Sequence, residues 1–315
     1  MTPLPVIIDT DPGTDDAVAL LLALASPELA LEAVTAVAGN VGLGLTFANA
    51  RRVAALAGRP ELPVHAGAAR PLLRAPVTTT RIHGEDGLGG AILPEPEAPA
   101  SRSHAVDVLV STLAEAALGR RSRPTICALG PLTNLALAFA YDRTLAQGVE
   151  RVVMMGGTFR PGGNATPAAE YNVFADPHAA KIVFDAGVPI VMMPLDVTHR
   201  ALMTAERYAA LAGLGGRIGP ALGAILAAWD RNDIARFGVR GGPLHDPTVI
   251  AYLLRPDLFE GVPAHVDIEC AATLTLGQTV ADWRPRSGAT PNAQVMTGLD
   301  ADGFFALLSE RLARL

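Results

Sequence analysis

Four aspartates stand within eight residues, Asp9-Thr10-Asp11-Pro12-Gly13-Thr14-Asp15-Asp16, between two apolar runs. Residues 6–8, all Val or Ile, read as a short buried strand, and residues 17–25 as a core helix. The acids therefore occupy a turn from strand to helix, the edge of an open α/β sheet where ligands bind. Carboxylates so crowded repel one another unless a cation sits among them. A hard divalent ion such as Ca²⁺, which takes about six to eight oxygen ligands, is the simplest answer. Asp15 or Asp16 alone could cap a helix, and Asp-Pro-Gly alone could be an ordinary turn. Those readings leave Asp9 and Asp11 at the end of a buried strand with no partner, and buried unpaired charge is costly.

Other acid-rich patterns fit less well. An EF-hand loop beginning at Asp9 needs glycine at its sixth position and glutamate at its twelfth, where Thr14 and Leu20 stand. An Asp-nucleophile phosphatase of the haloacid dehalogenase type also places two aspartates after a strand. It wants Gly-Thr directly after the second, where Pro12 intervenes, and a downstream lysine. The single lysine, Lys181, falls inside an expected helix. That phosphatase is the runner-up reading. No phosphate-binding Gly-rich loop, zinc-ligand pair or GxSxG elbow is present, and Gly42-Leu43-Gly44-Leu45-Thr46-Phe47 lacks the last glycine of a dinucleotide fingerprint.

Composition narrows the setting. The chain has 315 residues, half of them hydrophobic, and a net charge of −6 with no basic stripe, which argues against nucleic-acid binding. Cys127 and Cys270 lie in apolar stretches without a CxxC spacing and are expected to be reduced in a cytoplasmic protein. No signal-like segment opens the chain, and the run at 17–25 is too short to span a bilayer, so no membrane association is expected.

Strand and helix patterns alternate along the chain. Strands are expected at residues 6–8, 31–38, 63–65, 125–129, 151–155 and 189–193. Helices are expected at 15–25, 46–57, 105–118, 132–140, 176–186, 204–212, 217–237 and 246–254, with a Pro- and Gly-rich stretch at 70–100. Toward the end, 264–269, 272–276 and 293–296 read as antiparallel strands, closed by a helix at 301–313. The expectation is one domain over 1–315: an α/β fold with an open, mostly parallel sheet flanked by helices and a small antiparallel appendage near the C-terminus. Polar groups recur where the strands end. Asp9 and Asp11 follow the first and Asn40 the second. The Leu129 carbonyl ends a later one, Asn164, Glu170 and Asn172 follow Met155, and His245 and Asp246 open a late helix. In a parallel sheet these ends share one edge and can converge.

The run Asp9–Ala19 resembles the signature of the inosine–uridine-preferring nucleoside hydrolases. The resemblance continues through Ala38-Gly39-Asn40, His83-Gly84-Glu85-Asp86-Gly87-Leu88-Gly89 and Leu129-Gly130-Pro131-Leu132-Thr133-Asn134. It extends to Met155-Gly156-Gly157, Gly163-Asn164, Ala169-Glu170-Tyr171-Asn172, Ala175-Asp176-Pro177 and His245-Asp246-Pro247, in that order. It implies a Rossmann-like nucleoside hydrolase fold and hydrolysis of the N-glycosidic bond of a ribonucleoside to free base and ribose. The resemblance assigns Asp11, Asp16, Asp246 and the Leu129 carbonyl to Ca²⁺. Asp11 would take a proton from the water that the ion keeps. Asp15, Asn40, Asn164, Glu170 and Asn172 would bind ribose. His83, in a Gly-rich loop suited to a mobile flap, and His245 would serve the leaving base. His65, His104, His178, His199 and His265 read as structural or surface residues. Phe237 could stack on the base, with Asp233 and Arg236 reading its edge. Base preference is expected to be broad, or for pyrimidine nucleosides and inosine. The family commonly forms dimers or tetramers, so a homodimer or homotetramer is expected. A non-catalytic Ca²⁺- or sugar-binding relative is the remaining alternative.

Overall fold

The expected alternation is present in the computed structural model, which describes residues 2–227, 241–284 and 286–315. Strand β1 (Leu4–Thr10) passes through the aspartate turn into helix α1 (Thr14–Leu24), and β2 (Leu29–Ala36) leads to α2 (Leu43–Leu56). The short β3 (Val64–Ala66) is followed by a one-turn helix α3 (Thr80–His83) and by α4 (Ala105–Ala117). Strand β4 (Thr125–Ala128) leads into α5 (Thr133–Tyr141), and β5 (Arg151–Met155) into α6 (Tyr171–Ala175) and α7 (Pro177–Phe184). Strand β6 (Ile190–Met193) is followed by α8 (Leu195–Thr198), α9 (Ala205–Ala212) and α10 (Ile218–Leu226). The last elements are α11 (Pro247–Leu254), β7 (Phe259–Ile268), β8 (Thr279–Asp282), β9 (Ala293–Leu299) and α12 (Ala301–Leu312).

The strands form a nine-stranded sheet in the order β3-β2-β1-β4-β5-β6-β9-β7-β8. Every neighbour pair from β3 to β9 is parallel; only β7 against β9 and β8 against β7 are antiparallel. From β1 the chain winds outward through β2 and β3, then returns to place β4 on the other side of β1. The pair β1/β4 is thus the topological switch point, where the connections diverge and leave a crevice beyond the strand ends. The crevice explains why an aspartate follows β1 and why the Leu129 carbonyl follows β4.

Burial on both faces makes β1 apolar without alternation. Val6 and Ile8 join the core under α1, α2 and α11, whereas Ile7 faces the opposite core with Leu109, Leu113, Ile126 and Phe139. Helix α4 covers that second face with Ala105, Leu109, Leu113 and Ala116, a single stripe at helical spacing. Among the described residues, no helix is long and apolar enough to cross a membrane.

Two expectations need correction. Residues 272–276 alternate like a strand but form the turn of the β7–β8 hairpin. The Glu269 carboxylate accepts the amides of Ala271 and Ala272, Leu274 is 88% exposed, and Gly277 takes φ +80° to reverse the chain. The strand falls later, at β8. Strand β9 also belongs to the parallel sheet through β6, so it bridges the appendage to the main sheet.

Leu113 has no exposed surface while Ser111, on the same helix, faces solvent. Leu113→Ala is expected to cost about 2–5 kcal/mol in urea unfolding, and Ser111→Ala less than about 0.5 kcal/mol.

Candidate active site

The aspartate turn divides its acids between two tasks. Asp9 points away from the crevice and is fully buried. Its Oδ2 accepts from Thr35 Oγ1 on β2 (2.6 Å) and from Asn134 Nδ2 on α5 (2.8 Å). The expectation that Asp9 lacks partners is therefore corrected: it ties β1 to the elements on both sides. Burial nevertheless pushes its carboxyl up to about 7.

Asp11 turns into the crevice. Its Oδ2 accepts from the Asn40 amide N–H (2.7 Å), and its Oδ1 is buried without a hydrogen-bond partner among the described residues. Gly39 and Gly130 press on the two sides of this carboxylate. A Cβ at Gly39 would overlap Oδ2, and one at Gly130 would overlap Oδ1. Asp16, in the first turn of α1, accepts from Gly13 N (2.9 Å), Asn40 Nδ2 (3.2 Å) and the Thr10 hydroxyl. Asp15 accepts from His245 N (3.3 Å), and Asp246 begins α11. Ligand oxygens of Asp15, Asp16 and Asp246 lie within 4.8 Å of one another. The sequence expectation had Asp11 rather than Asp15 in that trio. Asp11 remains in electrostatic reach, since the charges of Asp16 and Asp15 raise its pKa.

The electrostatics ask for a cation. Burial first, and the neighbouring carboxylates second, push Asp11 and Asp246 well above the ordinary aspartate value and Asp15 up to about 7. No lysine or arginine among the described residues pairs with these acids. The N-termini of α1 and α11 supply only partial positive charge. Crowded carboxylate oxygens, one of them without a donor, and a cradle kept open by two glycines fit a hard divalent ion such as Ca²⁺.

Above these acids lies a cavity of about 320 Å³, within the usual range for a small-molecule site. Its walls include Asp15, Asn40, His83, Asn164, Glu170, Asn172, His245 and Asp246, so residues from separate strand ends converge as expected. Several of these groups also hold one another. Asn172 Nδ2 donates to the Leu129 carbonyl (2.6 Å) and the Met155 carbonyl (3.2 Å), bridging β4 and β5. Asn164 Oδ1 accepts from Tyr171 N (2.8 Å). Glu170 caps α6 through Asn172 N and takes Gly157 N, both at 2.8 Å. Burial pushes Glu170 up to about 7 against the pull of these donors.

His83 does not sit on a free flap. It ends α3, is buried, and its Nδ1 meets the N–H of Thr14 (3.2 Å) and the Thr14 hydroxyl (2.9 Å). A backbone N–H can only donate, so Nδ1 accepts and the neutral ring carries its proton on Nε2. Burial holds this imidazole down at about 4. Asn49 fastens the loop that follows, donating to Asp86 O (2.8 Å) and to Pro12 O in the aspartate turn (3.3 Å). His245 Nδ1 meets Thr198 Oγ1 at 2.8 Å.

Several wall residues were not among the expected site residues, three of them aromatic or imidazole rings. Tyr171 and Phe174 come from α6, and His199, read from sequence as structural, follows α8 with its ring 5.9 Å from His245. A signal existed for His199: it lies in the segment beyond the end of β6, separated from it by the single turn of α8. Phe237, with Asp233 and Arg236, lies outside the described residues. Lys181 is half-buried and paired with Asp185 and Asp267 at the surface. With Asp9 turned inward as well, the phosphatase arrangement is absent among the described residues.

Residues 6–306 match the family model described as inosine-uridine preferring nucleoside hydrolase. The chain is 43% identical to the pyrimidine-specific ribonucleoside hydrolase RihA of Enterobacter sp. (strain 638), over 99% of this chain and 98% of that one. Among solved structures it is similar to a plant nucleoside hydrolase, with a TM-score of 0.90 and 32% identity over 99% of both chains. It is also similar to a purine-preferring ribonucleoside hydrolase from Gardnerella vaginalis, with a TM-score of 0.90 and 27% identity over 98% of both.

Two measurements check the carboxylate cluster. Calcium at a hundred times its Kd is expected to stabilise the fold by about 2.7 kcal/mol in thermal unfolding. Asp246→Asn should lose that response and, in chelator, unfold at a higher temperature than the unsubstituted chain, because one buried like charge is gone. Gly39→Ala should weaken calcium binding at least about tenfold by calorimetry while the far-UV spectrum is kept; unchanged binding would refute the cradle.

Proposed function

The chain belongs to the inosine-uridine preferring nucleoside hydrolase family, and we propose that its cavity seats a ribonucleoside with the ribose over the aspartates and the base toward the histidines. The enzyme is a nucleoside N-ribohydrolase: water replaces the base at the anomeric carbon, giving ribose and free base. The observation that carries the placement is Asp11 Oδ1, buried and without a donor, beside the Asp15–Asp16–Asp246 cluster under a cavity of ligand size.

Asp11 is the general base. Asn40 N–H fixes one oxygen and leaves the other to accept the proton of the attacking water. Asp15, Asp16 and Asp246, whose ligand oxygens cluster, would hold Ca²⁺, with Asp11 and the Leu129 carbonyl as the further donors that the family resemblance assigns. When bound, the ion lowers the pKa of water and orients ribose hydroxyls. Asn164 keeps its Nδ2 and Asn172 its Oδ1 for the sugar, and Asn40 lines the same wall; their other hydrogen bonds hold them in place. The carboxylates of Asp15 and Glu170 favour positive charge on an oxocarbenium-like transition state. On the base side, His245 is oriented by Thr198, and neutral His83 presents an Nε2–H as a hydrogen-bond donor.

A broad base preference, or one for pyrimidine nucleosides and inosine, is supported by relatives that differ in the base they are named for. Imidazole donors suit either ring system, since both carry acceptors. We propose that the chain is a single domain that forms a homodimer or homotetramer, with exposed apolar residues such as Leu73 and Ile92 available for subunit contact. A cytoplasmic setting is supported by the two free cysteines.

Reducing-sugar release from inosine, uridine, cytidine and adenosine tests the reading. Uridine and inosine are expected to be cleaved with calcium, and not after chelation. Asp11→Asn should lower kcat by about 10²–10⁴-fold with the fold kept. Release that survives chelation, or a variant with most of its rate, would overturn the assignment.

A further inference from the structure

Three consecutive threonines, residues 78–80, carry the chain into α3, and Thr78 and Thr79 line the substrate cavity. By position Thr79 is the N-cap of α3, where a threonine hydroxyl ordinarily accepts a backbone N–H of the first turn. Here it caps nothing. The Thr79 carbonyl takes Ile82 N (2.8 Å) and His83 N (3.1 Å), and the hydroxyl is directed elsewhere. It donates to Asn40 Oδ1 at 2.6 Å, while the Thr79 N–H donates to the Asn40 carbonyl at 3.0 Å. Neither Thr78 nor Thr80 makes a side-chain hydrogen bond among the described residues.

Asn40 links this hydroxyl to the carboxylates. Its Nδ2 donates to Asp16 Oδ2 (3.2 Å) and to the Asp11 carbonyl (3.1 Å), and its backbone N–H donates to Asp11 Oδ2 (2.7 Å). Those acceptors turn the amide nitrogen toward the acids and so turn Oδ1 toward Thr79. The result is an unbroken chain, from the Thr79 O–H through the Asn40 amide to Asp16. Donation into an amide oxygen polarises the amide and strengthens its N–H as a donor. Losing the first link therefore loosens the last, although Thr79 makes no hydrogen bond to a carboxylate. Gly13 leaves the amide its room, since a Cβ there would lie 2.8 Å from Asn40 Nδ2.

Resting on the calcium-dependent hydrolase reading, we infer that Thr79 is a positioning residue of the cation site: its hydroxyl holds the Asn40 amide, and through it the Asp16 carboxylate, in the orientation that receives the ion. Groups that orient a metal's ligands are worth about 10–100-fold in affinity. The same residue joins the cavity wall to the acids. Thr79 lies between Val77, whose carbonyl accepts the Tyr171 hydroxyl (2.7 Å), and His83, which meets Thr14 beside Asp15.

Calorimetric titration of the full chain with calcium alone tests this. Thr79→Val keeps the shape of the side chain and removes the hydroxyl; it is expected to weaken calcium binding about tenfold or more, with the far-UV spectrum kept. Thr79→Ser restores the hydroxyl and should bind within about threefold of the unsubstituted chain, as should Thr80→Val next to it. If the valine variant does not fold, Thr79→Ala reads the same loss. Unchanged affinity without the hydroxyl overturns the inference. So does equal weakening in Thr79→Ser or Thr80→Val, which would mean that this segment tolerates no change whatever its hydrogen bonds. An unsubstituted chain that binds no calcium would overturn the cation site and this inference with it. Calcium binding in the expected order of variants, without ribose release from inosine or uridine, would overturn the hydrolase reading and still support the role of Thr79.

Discussion

Mutual repulsion among buried carboxylates is the condition that organises the molecule around its crevice. Asp11, Asp15, Asp16 and Asp246 are held out of water, and neighbouring charges within the group help raise the pKa of Asp11, Asp15 and Asp246. Such a cluster is tolerable only if each charge is fixed by donors and the set awaits a cation. The surrounding structure supplies the donors: Asn40 for Asp11, Gly13 and Thr10 for Asp16, and the start of α11 for Asp15. Gly39 and Gly130 contribute by having no side chain at all.

The sheet provides what the cluster needs, an edge where separate segments meet. Because β4 returns beside β1, residues 11 and 129 face the same gap. The bridging amides reinforce this placement. Asn134 links α5 to β1 through Asp9, Asn172 links the ends of β4 and β5, and Asn49 links the aspartate turn to the loop after His83. Each is a polar side chain buried because it satisfies backbone or carboxylate groups of two elements at once.

Much of this was legible in the chain. The apolar run before Asp9 required a central strand, and polar residues at successive strand ends pointed to a shared crevice, which is where Asn40, Asn164, Glu170, Asn172, His245 and Asp246 lie. The illegible part is long-range. Nothing near Asp9 announces Thr35 or Asn134 as its partners, so it looked like one more crevice acid. His83 looked mobile among glycines because Thr14 and Asn49, which fasten its loop, are distant in sequence. His199 was passed over because it has neither the glycine-rich loop of His83 nor the helix start of His245 beside it in the chain. The alternation at 272–276 misled because the Glu269 carboxylate, a tertiary detail, takes the amides that a strand would have paired.

The cation-binding carboxylates come from both ends of the chain: Asp16 lies in the first helix, and Asp246 opens one of the last. During synthesis the early acids emerge long before their counterpart. The complete cluster therefore requires β1 paired beside β4 and α11 packed against α1. The ion is, in effect, a seal of completion: a truncated or half-folded chain cannot acquire it, and so cannot display a partly working site.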